Sequence, residues 1–172
     1  MDLPLRRNRF DDSLVREAAI EFFQKVLKLK FESNTNKTAI DLISPKNKNH
    51  GAELEHGGWE GDFWSNKTYS TISNLGYPTI NIPIRKTKYW FDKVNGLYLS
   101  NGQKNYFLRS NLDFSQMIVI KPRTVKNHKK IIWSEFKPNN SFSTEQWMSF
   151  RQCDVDTYDL INGSYKLRTK KK

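Results

Sequence analysis

The chain has 172 residues, with 29 Lys and Arg against 18 Asp and Glu, and a formal net charge of +11. Aromatic residues make up 13%, which argues for a folded chain rather than a disordered polycation. A single cysteine, Cys153, excludes a disulfide framework and a thiolate zinc site.

The length suits one domain, and no apolar run approaches the roughly 18 residues of a membrane span. The start, MDLPLRRNRFDD, has no signal-peptide stretch, so a soluble, cytoplasmic protein is expected. A basic balance favours a polyanionic partner, most often nucleic acid.

In chain order, residues 1–11 read as a basic arm and residues 12–27 as an amphipathic helix. Leu14, Ala18, Phe22 and Val26 recur at helical spacing after the helix-start residues Asp11, Asp12 and Ser13. Leu29 and Phe31 alternate with charged residues, as in a half-buried strand. TAIDLIS (38–44) and AELEH (52–56) read as two more strands, joined by the turn PKNKNHG. Residues 65–75 are ambiguous, and 79–84 alternate as a strand. Leu97–Leu99 and Tyr106–Leu108 flank Asn101-Gly102 as a hairpin. MIVIKP (117–122) reads as a buried strand, PRTVKNHKK as a basic loop and IIWSEF (131–136) as a strand. Ser143 with Gln146 makes a capping box for a helix over about 144–151. The tail from about 164 reads as basic and mobile. The order implies a single α/β (α+β) domain around one mixed central β-sheet.

The charge is unevenly placed. Residues 41–62 carry a net −3, whereas residues 63–151 carry +10 and the last seven residues hold five more cations. Strand periodicity puts Glu53 and Glu55 on one face of the sheet, and the short turn lets Asp41 sit opposite or diagonal to Glu53. Three converging carboxylates would repel and take up protons, or would form an oxygen half-shell for Mg²⁺ or Mn²⁺. Such ions serve phosphodiester hydrolysis. The competing reading is an acidic hairpin with a purely structural role.

A helix followed by a three-stranded meander, with Asp41 on the second strand and Glu53-Leu54-Glu55 on the third, resembles the PD-(D/E)XK nuclease superfamily. The resemblance covers roughly residues 12–90. It implies an αβββαβ restriction-endonuclease-like core, continued by strand 79–84. It implies a Mg²⁺-dependent DNA endonuclease with Asp41, Glu53 and Glu55 at the metal. The superfamily's lysine position is held by Glu55, so Lys86 or Lys88 could supply the cation. Ile40 stands where proline is common. A first-helix glutamate, Glu17 or Glu21, is implied as an accessory. Cutting both strands would favour a homodimer, by analogy.

Other residues have two readings each. His50 and His56 flank the acidic strand, and His56 is either a polar strand end or a base titrating near neutrality. Glu60 and Asp62 are either a solvated loop or extra ligands. Trp59 and Trp64 are core residues or stacking surfaces for unpaired bases. Arg85, Lys86, Lys88, Lys121, Arg123, Lys126, Lys129 and Lys130 are candidate phosphate contacts, or solvated charges. Cys153, beside Asp154 and Asp156, is no candidate nucleophile. The alternative to a nuclease is a non-catalytic nucleic-acid-binding protein, or one that binds an acidic protein partner.

Overall fold

The computed structural model describes residues 12–36, 38–65, 76–136 and 145–170. The basic arm, residues 66–75 and Ser143 lie outside them. The helical stripe forms α1, Asp12–Val26, which buries Val15, Ala19, Phe22 and Phe23. Lys28 takes a left-handed φ of 58°, and the Leu29 N–H donates to the Phe23 carbonyl at 2.9 Å. That bond, with the left-handed residue before its donor, folds the chain back over the end of the helix.

The turn consumes the backbone where a strand was expected over Leu29–Phe31. Phe31 is buried, but pairing begins only at β1, Glu32–Ser33. The expected strand 38–44 contracts to β2, Leu42–Ile43, while the next lengthens to β3, His50–His56. A 3-10 turn follows at Phe63–Ser65.

β4, Thr79–Pro83, forms as expected, but in a different sheet from the meander. A 3-10 helix, Ile84–Tyr89, leads into β5, Phe91–Val94, and β6, Leu97–Ser100. β6 pairs with β5 rather than with residues 106–108. The turn is Asn95-Gly96, at φ 50° and 80°, a primed-turn pair equivalent to the Asn101-Gly102 chosen from sequence.

β7, Lys104–Ser110, and β8, Gln116–Ile120, follow; every residue of β8 is buried. Pro122 opens a short helix, α2, Pro122–Val125, inside the expected basic loop. β9 is Ile132–Phe136. The expected helix at 144–151 is instead a strand, β10, Glu145–Arg151, at the centre of a three-stranded sheet β4-β10-β9. Met148 and Phe150 are fully buried, so a period-2 apolar pattern prevails over the capping-box signal.

The tail is also ordered through residue 170. β11, Asp156–Ile161, turns at Asn162-Gly163 into β12, Ser164–Leu167. Arg168 then fastens the end: its guanidinium meets Asp159 at 2.8 and 2.9 Å and Asp62 at 3.1 Å.

The result is a mixed α+β, strand-rich fold. Its seven-stranded sheet runs β1-β2-β3-β7-β8-β11-β12, with β3 and β7 parallel and the other neighbours antiparallel. Parallel pairing needs a long crossover, which here carries the 3-10 helix and the β5–β6 hairpin. The sheet's two faces bury separate cores. Leu54, Leu108, Met117 and Val119 pack under α1. Phe107, Ile118 and Ile120 join Trp59, Phe63, Trp90, Met148 and Phe150 in the other. No described helix is long and apolar enough to cross a membrane.

Candidate functional site

The β2–β3 register pairs Leu42 with Ala52, which sets Asp41 across from Glu53 where the ladder ends. Asp41 itself ends it. Its Oδ2 accepts the Leu54 N–H at 2.9 Å, where a further strand residue would have offered a carbonyl. Its Oδ1 receives Arg16 Nη2 at 3.0 Å, and Arg16 Nη1 also donates to the Asp41 carbonyl. A small cleft of about 90 Å³ opens here between Val15, Arg16, Asp41, Leu54 and His56.

Glu53 is 6% exposed. Lys86 Nζ lies 2.9 Å from its Oε1, whereas Oε2 is buried with no hydrogen-bond partner. Burial raises the Glu53 pKa from 4.5 to about 7; the Asp41 charge adds to the rise and Lys86 opposes it. Two neighbouring carboxylates and one orphaned oxygen need a proton or a cation between them.

Lys86 is delivered by the 3-10 helix. In that geometry residues i and i+3 eclipse, so Lys86 and Tyr89 share a face, as do Arg85 and Lys88. The first pair turns inward. Tyr89 has its pKa pushed up to about 12, first by burial and then by the charges of Glu53 and Asp41. The second pair is exposed.

Glu55 does not join. It faces Arg109, whose Nε is 3.8 Å from its Oε2, and that guanidinium lies over the Trp59 and Phe63 rings. Among the described residues, no group of three or more His, Cys, Asp or Glu is placed to hold a metal ion. The expected three-carboxylate cluster is not assembled: Asp41 and Glu53 are neighbours, while Glu55, whose Oε2 is likewise buried without a hydrogen-bond partner, faces Arg109 of β7. Glu21 lies elsewhere. It pairs with Lys25 on the exposed side of α1 and lines a cleft with Phe114, Leu160 and Tyr165. Glu17 is exposed.

His56 Nε2 sits 3.0 Å from the Asn111 carbonyl, and the ring stacks on Phe114 at 5.1 Å. His50 packs edge-on against Phe31; burial, then Lys104, lowers its pKa. Asp62 is held by Gln116, Ser65 and Arg168, which outweigh burial and keep its pKa low. Glu60 is exposed. Trp59 and Trp64 are buried core residues at 1% and 7% exposure.

The cations of segment 121–130 divide. Lys121 pairs with Asp156 at 3.2 Å and Lys130 approaches Asp154 at 4.0 Å. Arg123 and Lys129 are exposed, and Lys126 is half-buried, its pKa lowered by burial and by Lys104.

Sequence reasoning missed Arg16 and Tyr89. The spacing Lys86-to-Tyr89 is a usable signal once 84–89 is read as a 3-10 helix. Nothing local marks Arg16, which meets Asp41 across 25 residues. Comparison with protein-family models finds no match, and neither a search of curated proteins nor one of solved structures returns any.

Proposed function

We propose that the chain is a divalent-metal-dependent DNA endonuclease of the PD-(D/E)XK type, with Asp41, Glu53 and Lys86 at its centre. The observation that carries this is the buried Glu53 Oε2, without a hydrogen-bond partner, beside the Asp41 carboxylate. The topology supports it: α1, an antiparallel β1–β2–β3 meander, then a crossover to the parallel strand β7. On this reading β7, rather than 79–84, would take the last strand position of the core.

On this reading Asp41 and Glu53 would hold a Mg²⁺ or Mn²⁺ ion, with Glu55 outside the set, and Glu53 Oε2 is the oxygen of the pair without a hydrogen-bond partner to meet it. When bound, the ion would supply charge neutralisation at the phosphate and a more acidic water. Arg16 fixes Asp41 so that its two oxygens keep their directions. Lys86 balances the Glu53 charge and can donate to a phosphate oxygen. Tyr89, protonated at neutral pH, adds a hydroxyl donor. Arg85 and Lys88, on the outer face of the same 3-10 helix, meet the DNA backbone. A homodimer would supply a second site for the second strand.

One observation favours a non-catalytic nucleic-acid-binding protein instead. Asp41, Glu53 and Glu55 each already face a cation, Arg16, Lys86 and Arg109. Plasmid nicking separates the two. Cleavage should appear with Mg²⁺ or Mn²⁺, vanish in EDTA and fall at least about 100-fold in Asp41→Asn. DNA binding with no cleavage in either metal establishes the binding protein.

A further inference from the structure

We propose that Trp133, backed by Tyr98 and flanked by Lys93, is a stacking platform for unpaired bases of single-stranded DNA. The proposal rests on the nucleic-acid reading above and adds strandedness to it. Three of the five tryptophans, Trp59, Trp64 and Trp90, are buried at 7% exposure or less, and Trp147 is half-buried. Trp133 is 44% exposed. It stands on β9, the outer strand of the three-stranded sheet among the described residues.

The indole is pre-oriented. Tyr98 of β6 lies against it at 5.2 Å between ring centroids and 15° between planes. Tyr98 is itself packed against the core and Phe91, so the pair does not have to be ordered when a base arrives. Stacking on an aromatic face is sequence-tolerant because every base has a π-face, and it is open only to bases that are not paired within a duplex.

One cation lies on the pair, and a basic segment reaches the same hairpin. Lys93 is directly opposite Tyr98 in the hairpin, with Nζ 5.4 Å from the ring centroid. His128 reaches Phe91 at 5.3 Å, which brings the basic segment 121–130, with exposed Lys129, to the hairpin. The chain also links platform to site. The exposed Arg85 and Lys88 precede β5, and Lys86 and Lys93 are seven residues apart, at most about 25 Å. A strand tracking these cations would run from the stacked base toward Glu53. The opposite face of the hairpin carries Val94, Leu97 and Leu99, exposed and apolar, and lacks this arrangement.

The test is fluorescence anisotropy of labelled oligo(dT) and of a duplex of equal length, with the full chain in EDTA so that nothing is cut. Trp133→Ala should weaken oligo(dT) binding roughly 5- to 100-fold, with duplex binding changed less than 2-fold, and Trp133→Phe should restore most of the loss. Lys93→Gln should lower the salt dependence of oligo(dT) binding. Circular dichroism of each variant checks folding, and Trp133→Leu, which keeps apolar bulk without an aromatic face, carries the test with the same expected loss if the alanine variant does not fold. Equal losses for both ligands, or none for oligo(dT), overturn the platform while leaving the nuclease reading standing. A Trp133→Ala change in sedimentation coefficient without a change in oligo(dT) affinity marks a protein interface and also overturns it. No binding to either ligand by the wild type defeats both readings.

Discussion

Glu53 concentrates the physics of this molecule in one side chain. Its pKa, raised from 4.5 to about 7, exceeds the unfolded value, so the native state holds the proton more tightly. Its contribution to stability is complete below about 4.5 and is lost as pH rises through about 7. Thermal denaturation in EDTA should therefore show a Tm that falls between those limits in the wild type relative to Glu53→Gln. Parallel curves would mean that Glu53 titrates normally. Lys86→Met removes the opposing cation, and the fall should then move to higher pH. The same experiment with Mg²⁺ should raise the wild-type Tm above pH 7 and leave Glu53→Gln unmoved, since proton and cation compete for one oxygen.

At the scale of elements, the site depends on how β2 meets β3. Gly51 lies opposite Ile43, and a Cβ there would overlap the Leu42 carbonyl oxygen. The strands approach this closely only because the position lacks a side chain. Gly51→Ala should cost about 2 kcal/mol or more by chemical denaturation, and should reduce nicking further by displacing Asp41 from Leu54. A substitution within about 0.5 kcal/mol of wild type would show that β2 can move without loss. The 3-10 helix matters in the same way. It follows Pro83, which has no N–H to extend a strand, and its three-residue turn puts Lys86 and Tyr89 together on a half-buried face.

Over the whole molecule, charge neutralisation is partly internal. Arg168 ties the C-terminal hairpin to Asp62 on the crossover and to Asp159 on β11, with Gln116 Nε2 bonding both acids at 3.0 Å. Arg168→Ala leaves the partly buried Asp159 with the Gln116 amide, while Asp62 keeps Gln116, Ser65 and the Trp64 N–H. It should cost on the order of 2 kcal/mol, less when Asp159→Asn is added, and a double-mutant cycle measures the coupling. Additive losses would mean that the tail is held by β12 pairing alone. Lys121, Lys130 and Lys170 are likewise engaged by Asp154 and Asp156, so the count of 29 Lys and Arg overstates the cations free to meet a polyanion, a correction that the net charge of +11 already contains.

The sequence by itself determined what a local period can carry. The stripe of α1, the buried run of β8 and the shared face of Glu53 and Glu55 follow from residue spacing alone, and so does the acidic island within a basic chain. Tertiary structure decided which neighbours those residues received. The choice between two Asn-Gly turns, the strand at 145–151 and the ordered tail depended on partners distant in sequence. The site followed the same rule. Asp41 and Glu53 were placed by strand register, but β7 brought Arg109 to Glu55, and α1 brought Arg16 to Asp41. A side chain's direction is set by its own backbone, whereas the charge it meets is set by the chain that packs against it.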